Sequence, residues 1–286
     1  MIFQSVDDKK ECVGIYCNSE YIFDNIDFTK LTKTWKPTAT SLEHDQIQYA
    51  WLRVKGRTLE EVCPDNLKEE WTQCSDRMNA FFKSIKTAKV NLNENCIFQI
   101  IPPPKFSRFL EIKNRITEHV FSNYDKPAEY DHLKNTVEML EHIRSRSVII
   151  DISSLKKDSY SEKNRTLLKN MKKTRRQVSY NLFGTKTGRL TVHKGHFPVL
   201  TMDRAHRKYV KPSNDAFVEI DFNGAEIRTL LALLGKEQPQ VDIHDWNIQN
   251  VYSGSLSRDD AKKRFFAWLY NPSSKDSSCS AVYDRE

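Results

Sequence analysis

Residues 216–236, AFVEIDFNGAEIRTLLALLGK, predict a strand, a tight turn and an amphipathic helix in succession. Side chains alternate through 216–222, so that Ala, Val, Ile and Phe share one face and Phe, Glu and Asp share the other. Asn223 is the predicted N-cap, Glu226 lies in the first helical turn, and Gly235 ends the helix. Asp221 at the strand end is then a candidate site carboxylate, or simply the end of a strand beside a helix that Glu226 caps.

Length and charge limit the classes of protein. A chain of 286 residues holds two or three domains, and a net charge of +7 suits a polyanionic partner. No apolar run approaches ~18 residues and the sequence starts without a basic and apolar leader, so we expect a soluble, intracellular protein that does not span a membrane. The six cysteines form no C-x-x-C pair, which favours free, mostly buried thiols over a zinc site.

The first hundred residues predict a small hairpin from Cys12–Cys17 and Tyr21–Phe23, then a helical stretch over 59–85. The prolines of IIPPPK, residues 100–105, mark a boundary. Beyond it, apolar residues recur at helical spacing on both sides of 123–127, which predicts two antiparallel helices.

A dense basic run occupies residues 163–176 and consists of Lys163, Arg165, Lys169, Lys172, Lys173, Arg175 and Arg176. Such a run is ordinarily a solvated face. This one leads into TKTGRL, residues 185–190, so we predict that it contacts phosphates of DNA together with Thr187 and Arg189.

Four residues near the end of the sequence are spaced four apart: Arg258, Lys262, Phe266 and Tyr270. On a helix capped by Ser257 they share one broad face. Two cations followed by two aromatics suit a nucleoside triphosphate, although a basic helix with a buried aromatic edge has the same pattern.

In their order, T-G-R-L (187–190), D-x-x-x-x-E-x-R (221–228), D-I-H (242–244) and the four-residue series resemble the family A DNA polymerases, the DNA polymerase I type, and in compactness their phage members. The resemblance covers about residues 105–286. It implies that Arg189 contacts the primer–template, that Asp221 binds both Mg²⁺ ions and that Glu226 excludes a ribose 2′-hydroxyl. It further implies that His244 lies near the triphosphate and that Arg258, Lys262, Phe266 and Tyr270 belong to the fingers helix.

The sequence departs from the family where Asn271 replaces the usual glycine after Tyr270, which puts the following turn in doubt. Phe222, Asn223 and Gly224 also replace the usual residues after the aspartate. The second metal-binding carboxylate of the family belongs to a downstream His-Asp-Glu hairpin, and His244–Asp245 lies too early in the chain to supply it.

The resemblance implies an α+β chain with an incomplete right-hand polymerase fold behind a small N-terminal α/β region. We expect four parts: an N-terminal region of unclear role (residues 1–104), a thumb-like helical region (105–180), a partial palm with Asp221 (181–240) and the beginning of the fingers (241–286). We expect a DNA-templated DNA polymerase of replication, split or truncated, inactive until a second polypeptide completes it. Its expected partners are primer–template DNA and dNTPs, in the cytoplasm of a bacterium or phage-infected cell. A non-catalytic nucleic-acid-binding module, a single-subunit RNA polymerase relative and, last, a purely structural protein stay open.

Overall fold

A computed structural model describes residues 1–9, 12–92, 94–171 and 173–283. The chain divides into two compact units, Met1–Ser213 and Asn214–Glu286. It is mixed α+β, which confirms the predicted class. The finer boundaries at 104, 180 and 240 stay predictions. None of the described helices is long and apolar enough to cross a membrane.

The first unit begins with an antiparallel sheet of β1 (Phe3–Lys9), β2 (Cys12–Cys17) and β3 (Glu20–Ile22). The β2–β3 pair confirms the predicted hairpin, whereas β1 was not predicted. A short parallel pair follows, made by β4 (Lys33–Thr34) and β5 (Gln48–Tyr49), with α1 (Ala39–Leu42) between them and α2 (Ala50–Arg53) directly after.

Three long helices, α4 (Asp65–Thr87), α6 (Pro103–Asn123) and α7 (Tyr130–Arg144), follow in this unit, together with the short helices α3 (Leu59–Val62) and α5 (Ile97–Ile100). Helices are therefore confirmed on both sides of 123–127. The apolar face of α6 packs mainly against α4, where Ile112 and Ile116 join Trp71 in one buried cluster.

The remainder of the first unit contains short elements around Leu155, Phe197 and Tyr209. They are β6 (Ile149–Ile150), α8 (Ile152–Lys157), α9 (Glu162–Met171), β7 (Tyr180–Asn181), β8 (Thr191–Val192) and β9 (Val210–Lys211), with 3₁₀ turns at 199–201 and 204–209. β6 pairs with β9 and β7 with β8, both antiparallel.

The regular elements described in the second unit are all helices: α10 (Ala225–Leu233), α11 (Ile243–Asn250), α12 (Arg258–Tyr270) and α13 (Ser277–Val282). Ile227 and Leu231 of α10 pack with Ile243, Phe265 and Trp268 in one buried cluster. The apolar side of the predicted amphipathic helix therefore faces the core of this unit at Ile227 and Leu231, whereas Leu234 follows the helix and is 38% exposed.

The strand predicted at 216–222 does not form, and that prediction is wrong for this chain. Its apolar side chains face solvent, with Val218, Ile220 and Phe222 at least 80% exposed. A strand requires a neighbour for its backbone hydrogen bonds, and the described part of this unit contains no other strand. Asn223 is also not the N-cap, because Gly224 takes that position with φ +59°.

Cys17, Cys63, Cys74 and Cys279 are buried free thiols, as predicted. Cys96 is disulfide-bonded, so the prediction of free thiols is wrong at that position. No grouping of three or more potential metal-ligating side chains occurs among the described residues.

Candidate functional site

Asp242 joins three segments of the second unit at its carboxylate. It caps α11 by accepting hydrogen bonds from the amides of His244 (2.8 Å) and Asp245 (3.2 Å). It also accepts one from Arg258 Nη2 at 2.8 Å and one from the side-chain amide of Asn223. We call Asn223, Asp242 and Arg258 the Asp242 junction.

Opposing effects act on the charge of Asp242. Partial burial by itself would raise the pKa of the carboxyl group, but hydrogen bonds from Arg258, Asn223 and the two amides together hold this pKa well below its usual value. The carboxylate is therefore ionised at any physiological pH, and the junction is a charged one.

The turn before α10 fits closely under α11. Gly224 adopts φ +59°, and a Cβ at this position would lie 2.1 Å from Cγ2 of Ile243. Asn223 Oδ1 accepts a hydrogen bond from the Ile243 amide at 2.8 Å. Arg228 donates to the carbonyls of Asn223 and Pro239, at 2.8 Å each, so this arginine fixes the local loop.

Helix α12 carries the four-residue series on a face next to its core face, and Phe266 of this series packs against the core cluster. Arg258, Lys262 and Tyr270 are exposed, and Phe266 is half-buried. The core face consists of Ala261, Phe265 and Trp268 instead. The rings of Phe266 and Tyr270 stack with centroids 5.7 Å apart and an interplanar angle of 13°. Cations and aromatics thus lie along one accessible side of the helix.

His244 lies beneath this face and is 4% exposed. Its ring meets the Phe266 ring nearly edge to face, with centroids 6.1 Å apart. Burial, followed by the positive charges of Arg258 and Lys262, lowers the pKa of the imidazole. Nδ1 is buried and has no hydrogen-bond partner among the described residues. A neutral imidazole with one free nitrogen therefore lies beside the two cations.

Arg258 and Lys262 differ in their availability to a ligand. The Arg258 guanidinium contacts Asp242 at 2.8 Å and Asp245 at 3.8 Å. Lys262 takes part in none of the ion pairs found in the described residues. A triphosphate would meet Lys262 directly, whereas Arg258 would first exchange a carboxylate for a phosphate.

Asp221 and Glu226 flank the turn. Asp221 is exposed on the irregular segment and has neither an ion pair nor a hydrogen bond within the described ranges. Glu226 is exposed in the first turn of α10. With a single carboxylate at 221 and no metal-ligand grouping among the described residues, this chain alone does not fit a two-Mg²⁺ site.

The basic run in the first unit has two parts. Within α9, Lys163 pairs with Asp203 at 3.1 Å, and Arg165 donates to the carbonyls of Ser159 and Tyr160. These side chains hold local structure. After α9, Lys173, Arg175 and Arg176 are exposed, while Lys172 lies outside the described residues.

Thr187 and Arg189 are exposed in the loop of the β7–β8 hairpin. Gly188 has φ +75°, and the Thr185 hydroxyl donates to the Arg189 carbonyl at 2.8 Å. Below the strands, the Arg175 amide donates to the Gly195 carbonyl at 2.9 Å. The hairpin therefore places Arg175 beside Gly195 and presents the T-G-R-L loop to solvent.

Sequence reasoning missed the structural role of Asp242, which it treated only as part of D-I-H. The available signal was an aspartate just before a helical segment, the ordinary N-cap pattern. No local pattern could have paired it with Asn223 and Arg258, which lie 19 and 16 residues away.

Comparisons of the chain with models of protein families, with curated proteins and with solved structures find no match. The resemblance to family A DNA polymerases thus rests on the motifs and their order. The activity, metal ions and partners that it implies are proposals.

Proposed function

We propose that this chain is the N-terminal part of a DNA-templated DNA polymerase, which transfers a nucleotide from a dNTP to a primer 3′-hydroxyl once a second polypeptide completes it. One observation carries the proposal: the Asp242 junction joins the segment after Asp221, the D-I-H segment and the start of α12. In a polymerase these three segments serve one nucleotide.

The accessible face of α12 supports triphosphate binding. Lys262 offers an ammonium without a competing carboxylate, and Arg258 is held 2.8 Å from Asp242, poised for exchange. The stacked Phe266 and Tyr270 rings continue along the same side and offer an apolar surface to sugar and base. His244 beneath them is neutral and therefore does not repel either cation.

The exposed apolar side chains of segment 216–222 support the proposal that a second polypeptide binds this chain. Antiparallel pairing of two copies of this segment is unfavourable, because it brings like charges together across the strands. A register centred on residue 218 sets Asp215 of one copy against Asp221 of the other. A register centred on 219 sets the two Glu219 side chains against each other, and one centred on 220 sets Glu219 against Asp221. A different strand with an apolar face would cover Val218 and Ile220 without that repulsion. We propose that the completing polypeptide supplies this strand and a further carboxylate.

Triphosphate binding can be tested on this chain alone with a fluorescently labelled dNTP. Lys262→Gln should weaken binding about tenfold, since one charge-assisted contact contributes about 1.4 kcal/mol. Lys263→Gln is the matched control, an exposed neighbour with the same charge, and should leave the affinity unchanged. Equal effects of the two substitutions would contradict the assigned face.

Catalysis is tested by primer extension with the polypeptide encoded next to this chain. This chain alone should add no nucleotide, and the mixture should synthesise DNA. Asp221→Asn should abolish that synthesis, while Asp215→Asn, an exposed carboxylate six residues earlier, should retain it. Synthesis that survives Asp221→Asn would refute the metal-ligand role. Supplying ribonucleotides instead distinguishes an RNA polymerase relative.

The alternative is a non-catalytic nucleic-acid-binding module. The observation that favours it is the lone carboxylate at 221, with no further metal-ligand grouping in the described parts of the chain. Such a module would bind DNA with a steep salt dependence and gain no affinity from added dNTP.

A further inference from the structure

Four cations of the first unit, carried by the segment 33–36 and by α2 and the turn after it, lie over aromatic rings. Lys33 Nζ and Arg53 Cζ lie 5.1 and 4.8 Å from the centroid of the same ring, Phe121. Lys36 Nζ lies 4.8 Å from the Trp51 ring, and Arg57 Cζ lies 5.1 Å from the Tyr124 ring. We call Lys33, Lys36, Arg53 and Arg57 the cation–aromatic face.

The backbone brings these cations together. β4 and β5 pair in parallel, and the Trp51 amide continues the ladder by donating to the Trp35 carbonyl at 3.0 Å. Lys36 therefore comes beside Trp51. Arg53 donates to the carbonyl of Tyr124 at 2.8 Å, which ties α2 to the end of α6.

The four cations form no direct ion pair within the described parts of the chain, although Glu141 acts on Lys36 and Glu61 lies near Arg57. None of the ion pairs formed by the described residues includes any of the four cations. Nearby, burial and then the charge of Lys36 lower the pKa of the Lys113 ammonium to about 8. Mutual repulsion of this kind is relieved when an anion binds between the cations.

A cleft of about 390 Å³ opens beside Lys36 and Arg57, both of which are exposed. Trp71 and Phe109, stacked 5.4 Å apart, line it, and Phe82 at its edge is 39% exposed. Glu60 is the one carboxylate among its described lining residues. Aromatic walls beside two cations match a base and its adjoining phosphates.

We propose that the cation–aromatic face and this cleft bind single-stranded nucleic acid, with Lys36 and Arg57 on consecutive phosphates and an unstacked base against Phe82 and Phe109. A duplex keeps its bases stacked inside and cannot enter the cleft, so the site prefers a single strand. This gives the first hundred residues a role, shared with α6, and does not depend on polymerase activity.

The test is fluorescence anisotropy of the full chain with a labelled 12-nucleotide oligothymidylate over a series of salt concentrations, without nucleotide or second polypeptide. The double substitution Lys36→Gln, Arg57→Gln should reduce the slope of log affinity against log salt by about 1.4, since each single-strand phosphate contact contributes about 0.7. The matched control, Lys30→Gln with Lys68→Gln, removes two lysines already paired with Asp27 and Asp65. It should leave the slope unchanged.

Two further variants distinguish binding in the cleft from a nonspecific effect of charge and from loss of binding through misfolding. Glu60→Gln removes the repelling carboxylate and should tighten binding, a gain that a damaged fold would not give. Phe82→Ala should weaken binding of the oligothymidylate yet leave binding of an abasic oligomer of equal length unchanged. Equal salt slopes for the two double variants, or equal affinity for the single strand and its duplex, would overturn the proposal. An oligouridylate measured alongside shows whether DNA or RNA binds more tightly.

Discussion

Replacing Asp242 tests the junction that carries the proposed function. In Asp242→Ala, α11 loses its N-cap, a change that costs about 1 kcal/mol. The side chains of Arg258 and Asn223 also lose their acceptor, which adds about 1–2 kcal/mol to the destabilisation. The figure is no larger because Arg258 is nearly half exposed and solvent screens its ion pair. We therefore expect the second unit to lose about 2–3 kcal/mol. Asp242→Asn keeps the cap and should lose about 1 kcal/mol.

Amide hydrogen exchange of the α11 and α12 segments measures the free energy of opening of the second unit separately from that of the first. A loss of 2–3 kcal/mol makes their exchange about 30- to 150-fold faster. Asp215→Ala removes the same charge from an exposed position of the unit and serves as control. An Ala variant within 0.5 kcal/mol of wild type, or an Asn variant as unstable as the Ala variant, would refute the reasoning.

The same junction predicts a pH dependence. The folded-state pKa of Asp242 is depressed relative to the unfolded value of 3.8, so its ionisation stabilises the folded unit above that value. This contribution is lost as the pH falls below about 4 toward the folded-state pKa. The stability difference between wild type and Asp242→Asn should therefore shrink in acid.

Other positions give independent predictions. Gly224→Ala should cost about 2 kcal/mol or more in urea unfolding because its Cβ would meet Ile243 at 2.1 Å, whereas Gly235→Ala, with φ +62° and open space, should cost about 1 kcal/mol. Ile220→Lys should change stability by less than about 0.5 kcal/mol, since Ile220 is 87% exposed, and should weaken binding of the completing polypeptide in sedimentation of the mixture. Burial lowers the pKa of Lys113 to about 8, so the free energy of unfolding of wild type should rise as the pH rises from about 8 to 10. Urea titrations of Lys113→Met should show a flatter dependence of this free energy on pH. A Lys113→Met protein with the wild-type pH dependence would show that this ammonium is not perturbed.

Helices were the part of the fold that could be predicted. The apolar spacing of α6, α7 and α10 and the cap of α12 at Ser257 are local patterns, and the structure contains each of these elements. The prediction of a strand at 216–222 was wrong for a physical reason: alternation records a preference for pairing, and the described part of the second unit contains no strand with which this segment could pair.

The sequence by itself determined the helical elements and the common face of the four-residue series on α12, because these depend on residues three or four apart, and it also carries the order of motifs that resembles a polymerase. The tertiary structure decided which side chains meet. It brought Asn223 and Arg258 to Asp242, committed Arg258 to a carboxylate and set Lys36 and Arg57 beside an aromatic cleft. Such contacts depend on chain segments far apart in sequence, whose meeting follows from the packing of whole helices and strands rather than from any local pattern.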